Sequence, residues 1–182
     1  GAGITATNSG TANFFTRGNT ANMGSFFCFF EFGIHTWTAG NTLFVGLSSG
    51  CTMSGADPST KAYSFIGLAT DSGDSGAIQL FTKNATTNTK TAVASMPTAA
   101  STGAVFIDLY LYAKPNDSVI YYRVDDLVAG TTLADSSIAT TLPLNTVWMS
   151  PWAFEGTGAN AGAAAAVFTQ VRTYCTVPLA SE

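Results

Sequence analysis

The sequence predicts an all-β fold, a sandwich or jelly roll, from three observations. Residues Ala104–Val128 read as a long strand, a tight turn and a second long strand. Along the whole chain, about ten or eleven short runs rich in β-branched and aromatic residues alternate with turn signals. The only helix-favouring tract, Ala163–Ala166, is too short to nucleate a helix alone, and the β-branched residues after it pull it towards strand.

In the central hairpin, Val105, Ile107, Leu109 and Leu111 alternate with Phe106, Asp108, Tyr110 and Tyr112, the period of a pleated strand. Lys114-Pro-Asn-Asp117 supplies the turn, and Ser118–Val124 favours a return strand. Both faces carry large side chains. One suits a core; the other, with Tyr110, Tyr112 and Tyr122, must meet a second layer, a partner chain or a ligand.

The remaining elements follow in order. Residues 1–22 read as an N-terminal arm or linker, with a short edge strand over Ala12–Arg17, and 23–182 as the sandwich domain. Ser25–Ile34 is the first strong strand, with Phe26, Cys28, Phe30, Phe32 and Ile34 on one face. Thr42–Ser48 is the next, and Gly46 marks a place where another backbone comes close. Ala62–Thr70, Ala77–Thr82 and Lys90–Ser95 read as strands, the first two separated by the turn Asp71-Ser-Gly-Asp-Ser-Gly76. Thr131–Ala134 and Ser137–Thr141 are two short strands. Thr146–Phe154 is an aromatic strand in which Pro151 signals an edge or a bulge. Ala163–Thr176 closes the fold.

Length and composition fit one domain with a sizeable core: 182 residues, 46% of them hydrophobic. Only 10% are charged, against the usual quarter, and mean hydropathy is +0.24. So sparsely charged a surface is expected to be hidden in part in a homo-oligomer or a larger assembly. A net charge of −4, with seven scattered Lys and Arg, argues against nucleic-acid binding. No apolar run reaches the ~18 residues of a spanning helix, so membrane insertion is not expected. The chain opens on Gly and shows no signal peptide, so a processed product or a fragment of a longer polypeptide is expected. Cys28, Cys51 and Cys175 form neither a disulfide framework nor a zinc pattern; a single bridge stays open.

Several blocks recur in a familiar order: Phe30-Glu-Phe-Gly-Ile34, Leu43-Phe-Val-Gly-Leu47, Phe65-Ile-Gly-Leu68 and Asp71-Ser-Gly-Asp-Ser-Gly-Ala-Ile-Gln-Leu80. The hairpin Ile107–Leu127 follows, then Thr141-Leu-Pro-Leu144, Ser150-Pro-Trp-Ala-Phe154 and the closing strand to Tyr174. Together they resemble a family of phage structural and tail-fibre modules with a concanavalin A-like jelly-roll sandwich. The resemblance implies a viral appendage or capsid-attached protein, often trimeric, on the exposed surface of a virion. Its partners would be other virion proteins and the glycans of a host surface. The family has no single binding motif to carry over.

The chemistry-bearing residues are few. Sugar-active enzymes on such sandwiches resemble one another in a strand motif of two glutamates around an aspartate. Here the glutamates are Glu31, Glu155 and Glu182, none close in sequence to another acid. Folding brings a catalytic pair together only if Glu31 meets Asp108, both on strands; retaining hydrolysis needs two carboxyls ~5 Å apart. His35, the sole histidine, has no nucleophile elbow and no metal-ligand companion. Asp71 and Asp74 are the weak metal candidates, but two carboxylates fall short of a calcium shell, and a plain turn accounts for them. No cofactor is expected.

Aromatic rings stack on sugar C–H faces. The candidate ligand-binding residues are therefore Trp37, in a polar loop, and Tyr110, Tyr112, Tyr121 and Tyr122. Packing between layers, with the hydroxyl at the rim, is the plainer role for the tyrosines. Trp148 and Trp152 read as core or subunit interface. The first expectation is a non-enzymatic fibre or spike module binding host carbohydrate. The alternatives are a purely structural capsid or decoration protein, and a secreted polysaccharide-active enzyme.

Overall fold

Strand β1, Phe26–Ile34, forms where a bulky apolar side chain recurs at every second position, and that alternation sets its two faces. Phe26, Cys28, Phe30 and Phe32 are fully buried, while Phe27, Phe29 and Glu31 on the other face are half-buried. The structure, a computed structural model, describes residues 17–18, 24–35, 38–50, 57–97, 105–156 and 168–176. Among these, ten strands form two five-stranded antiparallel sheets. The fold is an all-β sandwich.

After β1 the chain builds most of the second sheet: β2 (Thr42–Ser48), β3 (Ser64–Thr70), β4 (Gln79–Asn84) and β5 (Asn88–Ala92). It returns to the first sheet with β6 (Val105–Ala113), β7 (Ile120–Asp126) and β8 (Thr131–Ile138). Then β9 (Ser150–Gly156) joins the second sheet and β10 (Phe168–Thr176) the first. The strand orders are β10-β1-β6-β7-β8 and β5-β4-β3-β2-β9.

The main core lies between the sheets. Phe30, Phe32, Ile107, Leu109 and Leu111 from the first sheet meet Leu43, Val45, Leu47, Ile66, Leu68 and Leu80 from the second. Full burial of each such side chain contributes about 1.5–3 kcal/mol. The expected hairpin stands at the centre of the first sheet: the Asp117 amide donates to the Lys114 carbonyl at 3.2 Å, and Asn116 takes a left-handed conformation at φ 52°. Pro151 lies on β9, an edge strand, as the sequence reading expected of a proline there.

Several boundaries differ from the sequence reading by a few residues, and three of the differences have a visible cause. The two short strands expected near 131–141 are one strand, β8. Thr131–Ala134, which contains a register shift opposite Val124 and Asp125, and Ser137–Ile138 both pair with β7. The strand expected from Thr146 starts at Ser150, because the Val147 amide turns back to the Leu144 carbonyl. The Lys90–Ser95 strand begins at Asn88 and ends at Ala92, where Met96 turns back onto Val93. Of the expected N-terminal arm, only Arg17 and Gly18 are among the described residues. The Arg17 guanidinium donates to the carbonyls of Pro143, at 2.9 Å, and Asp117.

The second sheet carries a further aromatic cluster on its outer side. Phe44, Phe65, Phe81 and Phe154 are buried there, with Tyr63 and Trp152 packed against them. The 3-10 turn Pro58–Thr60 is pinned over this side: Lys83 Nζ donates to the Ser59 carbonyl at 2.5 Å, and the Ser59 amide donates to Asp71 at 3.1 Å. One row across the sheet runs Phe81, Gly67, Gly46, Trp152. A Cβ on Gly46 would collide with the Ile66 carbonyl and the Gly67 backbone, so the close approach expected there is present. Gly46→Ala is expected to destabilise the fold by about 1–3 kcal/mol in denaturant unfolding, the cost of forcing extra volume into a packed site.

Candidate functional site

The outer face of the first sheet collects the side chains that alternate away from the core. Register fixes three rows across it. Phe27, Tyr112 and Tyr121 form one. Tyr174, Phe29, Tyr110, Arg123 and Asp135 form the next. Arg172, Glu31, Asp108, Asp125 and Thr132 form the third. Two rows of rings thus lie beside a row of carboxylates.

The rings contact one another across strands. Phe29 and Tyr110 have centroids 5.0 Å apart, Phe27 and Tyr110 6.5 Å, and Tyr112 and Tyr121 5.9 Å. Such pairs add about 0.5–1.5 kcal/mol beyond area burial. Lys114 Nζ sits 5.5 Å from the centre of the Tyr121 ring. Tyr110, Tyr112, Tyr121, Tyr122, Arg123 and Asp135 line a shallow depression of about 100 Å³. Its floor is aromatic and its rim carries a guanidinium and a carboxylate. Arg123 Nε donates to both Asp125 oxygens, at 3.0 and 2.9 Å, and Arg123 Nη2 donates to the Thr132 hydroxyl at 3.1 Å. The guanidinium is thereby held in place at the edge of the rings.

Tyr122 departs from the sequence reading. Residues 120–124 alternate inward and outward, so Ile120, Tyr122 and Val124 enter the main core, and Tyr121 and Arg123 face out. Tyr122 stands opposite Leu111, another core residue. Tyr122 nonetheless lines the depression together with Tyr110 and Tyr112, and the more exposed Tyr121 joins them from the outer face. The parity of Ile120 and Val124 was the signal for this in the sequence. Trp37 lies outside the described residues. Trp152 packs on the outer aromatic cluster of the second sheet, whereas Trp148 is 54% exposed.

Glu31 and Asp108 are direct cross-strand partners on β1 and β6. Asp108 is 8% exposed; its Oδ2 accepts a 3.3 Å hydrogen bond from the Tyr110 hydroxyl, and its Oδ1 has no partner. Burial, and then the neighbouring Glu31 charge, push the Asp108 carboxyl above its usual range. Burial and Asp108 raise Tyr110 likewise. Arg172 Nη1 lies 3.5 Å from Glu31. Glu155 belongs to the other sheet, on the core side of β9 opposite Leu43; burial pushes it up to about 7.

Asp71 and Asp74 enclose an ammonium. Lys90 Nζ lies 2.8 Å from Asp71 Oδ2 and 2.6 Å from Asp74 Oδ1. Asp74 Oδ2 also accepts the Asp71 amide at 2.9 Å. This is a structural ion-pair cluster, in which a lysine supplies the cation. Among the described residues, no three His, Cys, Asp or Glu are grouped to hold a metal ion. His35 is exposed just after β1.

No family model matches the chain, and no curated protein matches it.

Raised carboxyl pKa values have a defined sign in stability. Glu155 binds its proton more tightly folded than unfolded, so its contribution is full below about 4.5 and is lost as pH rises through about 7. Asp108 acts in the same direction. The melting temperature of wild-type protein is expected to fall across this window. Glu155→Gln and Asp108→Asn should each flatten the fall in a pH series of thermal melts; a parallel curve for either variant contradicts its assigned burial.

Proposed function

We propose that the protein is a non-enzymatic phage appendage module, part of a fibre or spike, that binds host surface carbohydrate on the outer face of its first sheet. The fold in this reading is a concanavalin A-like jelly roll, which accords with a chain that passes back and forth between two antiparallel sheets. The carrying observation is the tyrosine cluster of half-buried Tyr110 and Tyr112, exposed Tyr121 and buried Tyr122 around one depression, with Arg123 and Asp135 at its rim. Rings stack on the C–H face of a pyranose, while a fixed guanidinium and a carboxylate hydrogen-bond to hydroxyls. The depression is small and shallow, at about 100 Å³, so it offers a stacking surface for one sugar ring of a longer glycan crossing the sheet rather than an enclosing pocket.

The module works as a homotrimer attached to other virion proteins, displayed on the particle surface. Exposed apolar side chains on the loop before β9, Leu144 at 55% and Trp148 at 54%, supply surface for those contacts. The same observation favours a second reading, a capsid or decoration protein whose apolar surface joins subunits and takes no ligand.

Labelled protein is expected to bind intact host cells saturably and to lose that binding after periodate oxidation of surface sugars. Tyr121→Ala should weaken binding roughly tenfold with the far-ultraviolet dichroism unchanged, as for truncation of an anchoring ring. Saturable binding that survives both periodate and Tyr121→Ala, or no binding by folded oligomer across several hosts, refutes the carbohydrate reading.

A further inference from the structure

Cys28 and Cys175 face one another across an edge of the first sheet. They are direct register partners in the antiparallel pair β1–β10. Direct partners have Cα atoms about 4.5–5.5 Å apart and point to the same face. That separation lies inside the ~4.4–6.8 Å that a disulfide spans. Both are free thiols. Cys28 is fully buried in the main core, whereas Cys175 is half-buried and packs against it. Strand β10 is an outer strand of its sheet, held through β1.

We infer that Cys28 and Cys175 are a thiol–disulfide exchange site, which a small disulfide such as oxidised glutathione converts to a cross-strand bridge locking β10 onto β1. The more accessible Cys175 attacks first. Its thiolate bonds to one sulfur of the small disulfide, the S–S bond breaks, and one small thiol leaves with a proton. Cys28 then gives up its proton and attacks the Cys175 sulfur, and the second small thiol leaves. Two protein thiols are oxidised, and one small disulfide is reduced to two thiols. Burial raises the Cys28 thiol well above its ordinary range, so the second step is the slow one. The bridge bears on the outer face as well. Arg172 and Tyr174 lie on β10 beside Glu31 and Phe29, so it fixes one flank of the tyrosine platform.

The test uses full-length Cys51→Ser protein held with oxidised glutathione, then alkylated and digested with trypsin without reduction. Cleavage after Arg17, Lys61 and Arg172 gives fragments 18–61 and 173–182. The expected result is these two fragments joined by one disulfide. In wild-type protein, tandem mass spectrometry should place the bridge on Cys28 rather than Cys51, which keeps the test valid if the serine variant folds poorly. Oxidation should also raise the melting temperature by on the order of 10 °C, reversed by reductant and absent in Cys175→Ser. Glutathione retained on Cys175 with Cys28 still alkylated, Cys175–Cys175 dimers, or a bridge to Cys51 would each overturn the inference.

Discussion

The register of β1 against β6 is the constraint on which the rest depends. Side chains alternate strictly along a strand, so a slip of one residue would exchange the two faces completely. With Phe30 opposite Leu109 and Phe32 opposite Ile107, the inward faces of both strands are wholly apolar and close on the second sheet. The same pairing sets Phe29 opposite Tyr110 and Glu31 opposite Asp108 on the outside. Core and site are therefore two consequences of one alignment. The alignment spreads sideways, to Cys175 and Arg172 through β10 and to Tyr121 and Arg123 through β7.

The two sheets use their outer faces differently. On the second sheet, Phe44, Phe65 and Phe81 are sealed from water, and the 57–63 segment is tied down over them by side-chain hydrogen bonds. Asp57 accepts the Ser72 amide at 2.8 Å, Asp71 accepts the Ser59 amide, and Lys90 links Asp71 to Asp74 while lying 4.8 Å from the centre of Phe81. Burial works against the Lys90 charge, but the two aspartates outweigh it and raise its pKa. On the first sheet, Tyr121 and Tyr174 remain open to solvent at 37% and 61%. An aromatic face that is covered belongs to the core; one that stays partly open to solvent does not. That difference, more than the count of rings, locates the candidate site.

Much of this was legible in the sequence because alternation is a local signal. Phe26 to Ile34 and Val105 to Tyr112 announce both their strands and their faces, and Pro151 announces an edge. The polar strand β8 was harder: Thr131 to Ser137 has no apolar period, since most of it faces water at the rim of the sheet. Tyr122 was grouped with the outward tyrosines on residue type, although its parity with Ile120 and Val124 assigns it to the core. The cross-strand pairs Glu31–Asp108 and Cys28–Cys175 join residues far apart in the chain. Their meeting follows from strand order, which no local pattern encodes. Lys90 closing on Asp71 and Asp74 is the same kind of fact: the turn was visible, the cation that fills it was not.

The β1–β6 register can be measured directly by nuclear Overhauser contacts in solution. The account predicts ring-to-ring contacts between Phe29 and Tyr110, whose centroids are 5.0 Å apart, and between Tyr112 and Tyr121, with Phe30 showing contacts only to core residues. Contacts from Phe30 to Tyr110, with Phe29 turned to Leu111, would mean a pairing shifted by one residue. Core, platform and thiol pair would then all be misplaced together.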